Sequence, residues 1–187
     1  MSDKADGDDT GVKQVSALHH AIYGQPGGDA PQDPVGVMDW DVKPFENPTS
    51  APWDVPLSRR VLNRLLLGFM PQDMDDKWFI YTTFPVTPLA QGADLKPDEK
   101  MGVVHMIRSW TGMSCIDVVF QVNTMFTAGN SLDDAVGRIT GLVFEKPKEG
   151  DLNDELDWVK KTASGVCRYV LGVKLAGIHD DEEDEEK

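Results

Sequence analysis

Apolar residues recur along this chain with two periods, and the changes from one period to the other outline its elements. Val61, Leu62, Leu65, Leu66 and Phe69 follow helical spacing and predict a helix over 57–70, with Ser58 as its N-cap. Arg59, Arg60 and Arg64 lie off that stripe and read as a solvated face. Val12, Val15, Leu18, His19 and Ile22 predict a helix over 12–23, stopped by Gly24 and Pro26. The longest helical pattern runs over 151–174 through Leu156, Val159, Ala163, Val166, Cys167, Val170 and Leu171. Strands are predicted over 77–84, 102–110 and 113–122, with a tight turn at Thr111-Gly112 between the last two. Ser131 and Asp134 resemble a capping box, which predicts a short helix over 131–140; Leu142–Glu145 then supplies a further strand.

Between these patterns lie irregular stretches. Residues 24–56 carry seven prolines and read as an arm whose Val37, Met38, Trp40, Val42 and Phe45, with Trp53, lie across the domain surface. Residues 85–101 read as a long surface loop. The expected fold is α+β: an antiparallel sheet of three to four strands with helices packed on one face. The expected organisation is a disordered acidic tail over 1–11, a short helix and arm over 12–52, one domain over 53–179 that folds without the arm, and a disordered acidic tail over 180–187.

Charge sharpens that division. Of the net −14, most sits at the ends: residues 1–52 hold nine acids and three bases, residues 180–187 seven acids and one base, and 53–179 has 16 acids against 14 bases. Such a chain lacks the basic stripe that binds phosphate backbones or anionic membranes, so nucleic acid and membrane are not expected partners. Two cysteines, Cys115 and Cys167, without metal-like spacing fit a reducing compartment. The polar N-terminus lacks a secretory signal, and the expected location is the cytoplasm, with the nucleus reachable by diffusion. No cofactor or metal is expected; His19-His20 point about 100° apart on a helix and cannot chelate as a pair.

The candidate chemistry gathers at the hairpin after 102. With a two-residue turn at Thr111-Gly112, Trp110 opposes Met113, Arg108 opposes Cys115, and Asp117 lies diagonal to Arg108, near enough for an ion pair. The candidate ligand-binding residues are Trp78, His105, Arg108, Ser109, Trp110, Thr111 and Gly112. His105 reads either as a core histidine or as a general base or ligand donor. Arg108 reads either as the partner of Asp117 or as an anion ligand. No catalytic residue is assigned. A metal-assisted hydrolase using His105, Asp117 and one of Asp73, Asp75 or Asp76 is a third, weaker reading.

Asp76-Lys-Trp-Phe-Ile-Tyr81 and His105-x-x-Arg-Ser-Trp-Thr-Gly112 resemble a short signature of an uncharacterised family of small bacterial and fungal proteins. Some of those proteins are encoded beside, or fused to, ADP-ribosyl hydrolases and macrodomains. The resemblance covers residues 74–122, and Ile107 stands where the family pattern has a histidine. It implies an ADP-ribose-like nucleotide as ligand. Arg108 would pair the pyrophosphate, Trp110 or Trp78 would stack the base, and Ser109, Thr111 and the Gly112 amide would complete the cradle. The alternative is a non-enzymatic interaction protein in which the same motif is structural. Whether the chain is an enzyme stays open at this point.

Overall fold

The computed structural model describes residues 17–38, 40–86, 99–123 and 131–177. The expected tails over 1–11 and 180–187 lie outside them, as does most of the loop expected over 85–101. The fold is α+β with five strands, one more than the upper expectation: α1 (Ala17–Tyr23), β1 (Pro48–Ser58), α2 (Arg59–Leu67), β2 (Trp78–Val86), β3 (Glu99–Arg108), β4 (Ser114–Asn123), β5 (Ala135–Glu145) and α3 (Leu152–Gly165), which runs on into a π-helical turn, Val166–Val170. The sheet is antiparallel in the order β1-β5-β4-β3-β2. Strands β2 to β5 are successive neighbours, and α2 carries the chain from one edge of the sheet to the other.

The unexpected strand β1 and the unexpected first half of β5 have local causes. In β1, Trp53, Val55 and Leu57 are buried in alternation, while Pro52 and Pro56 occupy exposed positions of an edge strand. An edge strand tolerates proline because half of its N–H groups have no ladder partner. The prolines therefore masked a strand that alternation alone supports, and the 52/53 boundary falls inside it. The helix expected over 131–140 is a turn followed by β5. Ser131 N donates to Asp134 Oδ2 at 2.7 Å and Asp133 N to Ser131 Oγ at 3.3 Å, so the capping-type bonds close a turn instead of opening a helix. Beyond it, β-branched Val136, Ile139, Thr140 and Val143 favour extended chain, Gly137 and Gly141 disfavour a helix, and β5 pairs on both sides.

The helices cover one face. Trp78, Ile80, Val104, Met106, Ile116, Val118, Phe120, Ile139, Leu142 and Phe144 meet Val61, Leu62, Leu65, Val159, Ala163, Val166, Cys167 and Val170 in one core. Ser58 caps α2 as expected, its Oγ accepting from Val61 N at 3.3 Å. Arg64 departs from its expected solvated face. It is buried at the end of α2, where Nε donates to Leu171 O at 2.8 Å and Nη1 to Gly68 O at 2.6 Å. The guanidinium thus ties the end of α2 to the chain after α3, and burial lowers its pKa from the ordinary arginine value.

The arm crosses the other face at the end where β3 turns into β4. Val35 N donates to Leu67 O, and Trp40 stacks on Phe79 with ring centres 4.7 Å apart. Lys43 N then donates to Gly112 O at 2.8 Å, Ser114 N to Lys43 O at 3.0 Å, and Asn47 N to Glu145 Oε1 at 2.6 Å. These bonds make the arm part of the sheet, contrary to the expectation of a detachable segment.

Candidate site at the turn between β3 and β4

The turn is wider than two residues. Arg108 N donates to Met113 O, Gly112 N donates to Arg108 O, and residues 109–113 form the loop between them. Gly112 adopts φ +68°, and a Cβ there would stand 2.0 Å from Asp41 O, so glycine is required by both the turn and the passing arm. The longer loop shifts the pairing by one residue from the expected register. His105 pairs with Asp117 and Met106 with Ile116, and the extra residue is absorbed as a bulge at Cys115 before Ile107 pairs with Ser114.

Strand alternation places the expected site residues on two faces of the sheet. Arg108 and its cross-strand partner Trp78 face the helices; His105 lies on the opposite face. Trp78 is fully buried and its Nε1 donates to Ile22 O at 2.8 Å. Arg108 Nη1 donates to the same carbonyl at 2.9 Å, and its guanidinium carbon sits 4.3 Å from the Trp78 ring centre. Burial lowers the Arg108 pKa, opposed by the neighbouring Cys115. The expected Arg108–Asp117 pair is replaced by these contacts. Arg108 therefore joins α1 to β2 and β3.

Ser109 is similarly engaged. Its Oγ donates to Asp76 O at 2.6 Å and its N to Lys77 O at 3.2 Å, binding the loop to the turn before β2. Asp76 is buried in that turn and accepts from Gln72 N at 2.7 Å, Asp73 N at 3.3 Å and Gln25 Nε2 at 3.2 Å. Thr111 is exposed and its Oγ1 accepts from Met113 N at 3.3 Å. Trp110 differs from all of these. The residue is 58% exposed, yet Nε1 is fixed by a 3.0 Å bond to Met74 O.

Trp110 borders an open cleft of about 340 Å³, whose other walls are Trp40, Pro71, Gln72, Asp73, Met74 and Ser109. Periodicity and motif spacing pointed to Trp110 and Ser109 but not to the remaining walls. The signal for Trp40 was its place in an arm that had to cover something. Asp73 was read only as one of three candidate metal ligands, and Met74 only as part of the turn before β2.

On the opposite face, His105 holds a second group of polar side chains. A carboxylate only accepts, so His105 Nδ1 donates to Asp117 Oδ1, 2.8 Å away; Thr83 Oγ1 lies 3.1 Å from Nε2. The Tyr81 ring stacks on the imidazole at 4.6 Å, and burial together with the Asp117 charge raises the Tyr81 pKa. Tyr81, His105 and Asp117 share one row across three strands, which the shifted register creates. Both polar ends of His105 are met within the sheet. Among the described residues no three His, Cys, Asp or Glu side chains converge as a metal site, and the carboxylates at 73, 75 and 76 belong to the turn before β2. Among the same residues no helix is long and apolar enough to cross a membrane.

No family model, curated protein or solved structure matches this chain.

Proposed function

We propose that this protein is an interaction module that docks a partner protein at the Trp40–Trp110 cleft, and that the Arg-Ser-Trp-Thr-Gly segment is the scaffold of that surface. The observation that carries this reading is Trp110, which is largely exposed while its indole N–H is held by Met74 O. A large aromatic fixed in one rotamer binds with little loss of conformational freedom, and such residues dominate the energetics of interfaces. Met74 and Met113 are also exposed beside it, so the apolar surface extends past one ring.

The nucleotide reading rests on the resemblance of the 74–122 segment and on Arg108 as ligand to a pyrophosphate. Two observations weigh against it. The Arg108 guanidinium is engaged by Trp78 and Ile22 O, and the cleft beside Trp110 has the Asp73 carboxylate in its wall. A carboxylate at that place repels a phosphate.

A photo-crosslinking side chain at Met113, exposed on the same loop as Trp110, tests the interaction reading in cells. The control position is Leu132, exposed at the far end of the sheet. The expected result is one dominant adduct from position 113 that disappears with Trp110→Ala and is absent from position 132. Equal adducts from both positions, or adducts indifferent to Trp110→Ala, would overturn it.

A further inference from the structure

We infer that the Trp40–Trp110 cleft seats a cationic side chain, lysine or arginine, from a basic segment of its partner; this rests on the interaction reading above and adds the chemistry of the ligand. The cleft offers what such a side chain needs at each end. Met74 and Pro71 are apolar walls for a methylene stem, and the indoles of Trp40 and Trp110 present π surface to a charged head. Asp73 supplies the counter-charge. Its Oδ1 accepts from Asp75 N at 2.7 Å and its Oδ2 from Gln25 Nε2 at 2.9 Å. Those bonds hold the carboxylate ionised, Asp75 N contributing most and Gln25 next.

The protein's own cation on this surface shows the same preference. Lys77 Nζ bonds to Met74 O at 3.2 Å, lies 3.8 Å from Asp75 Oδ1 and stands 5.8 Å from the Trp110 ring centre. A second ammonium or guanidinium entering from solvent meets Lys77 as its only like charge among these contacts, and Asp73 and Asp75 as opposing ones. At longer range the whole chain, at net −14, attracts a basic segment and speeds its encounter. Charge and cleft thus select for the same partner.

The test is fluorescence anisotropy of the full-length protein with a fluorescein-labelled (Arg-Gly)4 peptide, and with (citrulline-Gly)4 as the neutral probe of the same shape. Wild type should bind the arginine peptide and not the citrulline one. Trp110→Ala and Asp73→Asn should each weaken binding at least tenfold, and Trp158→Ala, an exposed indole on α3, should leave it unchanged. Melting curves of each variant confirm the fold. If Trp110→Ala and Asp73→Asn bind like wild type, the attraction is diffuse and the cleft is not the seat. If the arginine peptide fails to bind while position 113 still crosslinks a partner through Trp110, the cationic seat falls and the interaction reading stands. Failure of both experiments removes both.

Discussion

Arg108 shows how one residue is read differently at different levels of structure. As a letter in a short motif it is an anion ligand; in the fold its guanidinium lies on Trp78 and donates to α1. Arg108→Ala removes a desolvated cation–π contact and a charged hydrogen bond, for an expected loss of roughly 2–4 kcal/mol in urea unfolding. Trp110→Ala removes an exposed ring and one bond, and should cost about 1 kcal/mol or less by the same measurement. Gly112→Ala forces φ +68° on an L side chain and sets a methyl group 2.0 Å from Asp41 O. The backbone penalty alone is about 1–2 kcal/mol. Displacement of the arm should also appear as faster amide exchange at Lys43 and Ser114, whose N–H groups bond across this junction. Cys167 gives a pH signature. Burial among apolar side chains pushes its thiol up to about 12 from the ordinary 9.0. A group whose folded pKa is raised stabilises the fold below the unfolded value, so this contribution should decline as pH climbs from 9 towards 12. Iodoacetamide at pH 8 should leave Cys167 unmodified until the protein is unfolded, as read by mass spectrometry.

At the scale of elements, the arm and α1 act as structural parts of the sheet. Trp40 covers Phe79, which is fully buried on the face that carries no helices. Trp40→Ala should cost about 1–3 kcal/mol and accelerate exchange along β2, because Phe79 would meet water. A truncation that begins at residue 53 removes the first half of β1 and the Ile22 carbonyl that takes both Trp78 and Arg108. It should fail to give a cooperative melt, whereas one that begins at residue 17 keeps every bond described. Long elements with an uninterrupted period were legible in the sequence: α2 with its Ser58 cap, the α3 face, and strands β2, β3 and β4. The misreadings arose where a local signal competed with tertiary pairing. Prolines hid β1 because sequence alone does not say which strand will be an edge. Ser131 and Asp134 made the same hydrogen bonds at a turn that they would make at a helix start. The expected Arg108–Asp117 pair was lost to register: a loop longer by a few residues moved Asp117 from Arg108 to His105. His105 and Arg108 lie on opposite faces through strand alternation itself, and the contacts of Arg108 with Trp78 and Ile22 O come from tertiary packing that no local pattern announces.

For the molecule as a whole, the sheet has one face packed by helices and the other crossed by the arm. The surface proposed for docking lies at the end where arm, β3–β4 loop and the turn before β2 meet. The fold holds that end rigid through bonds from Ser109, Arg108 and Gly112, and leaves Trp110 outward. With a net charge of −14, association with a basic partner should weaken by an order of magnitude or more between low and physiological salt if the long-range field contributes, while Trp110 sets the affinity that remains. On the interaction reading, Arg108 builds the scaffold and is not the ligand-binding group. That role is tested most directly by thermal melting of wild type and Arg108→Ala, each with and without millimolar ADP-ribose. Wild-type curves should superimpose with and without nucleotide, and the Arg108→Ala curve should lie roughly 5–10 °C lower in both conditions. A wild-type melt raised by nucleotide, together with an Arg108→Ala protein that melts like wild type and no longer responds, would contradict that role.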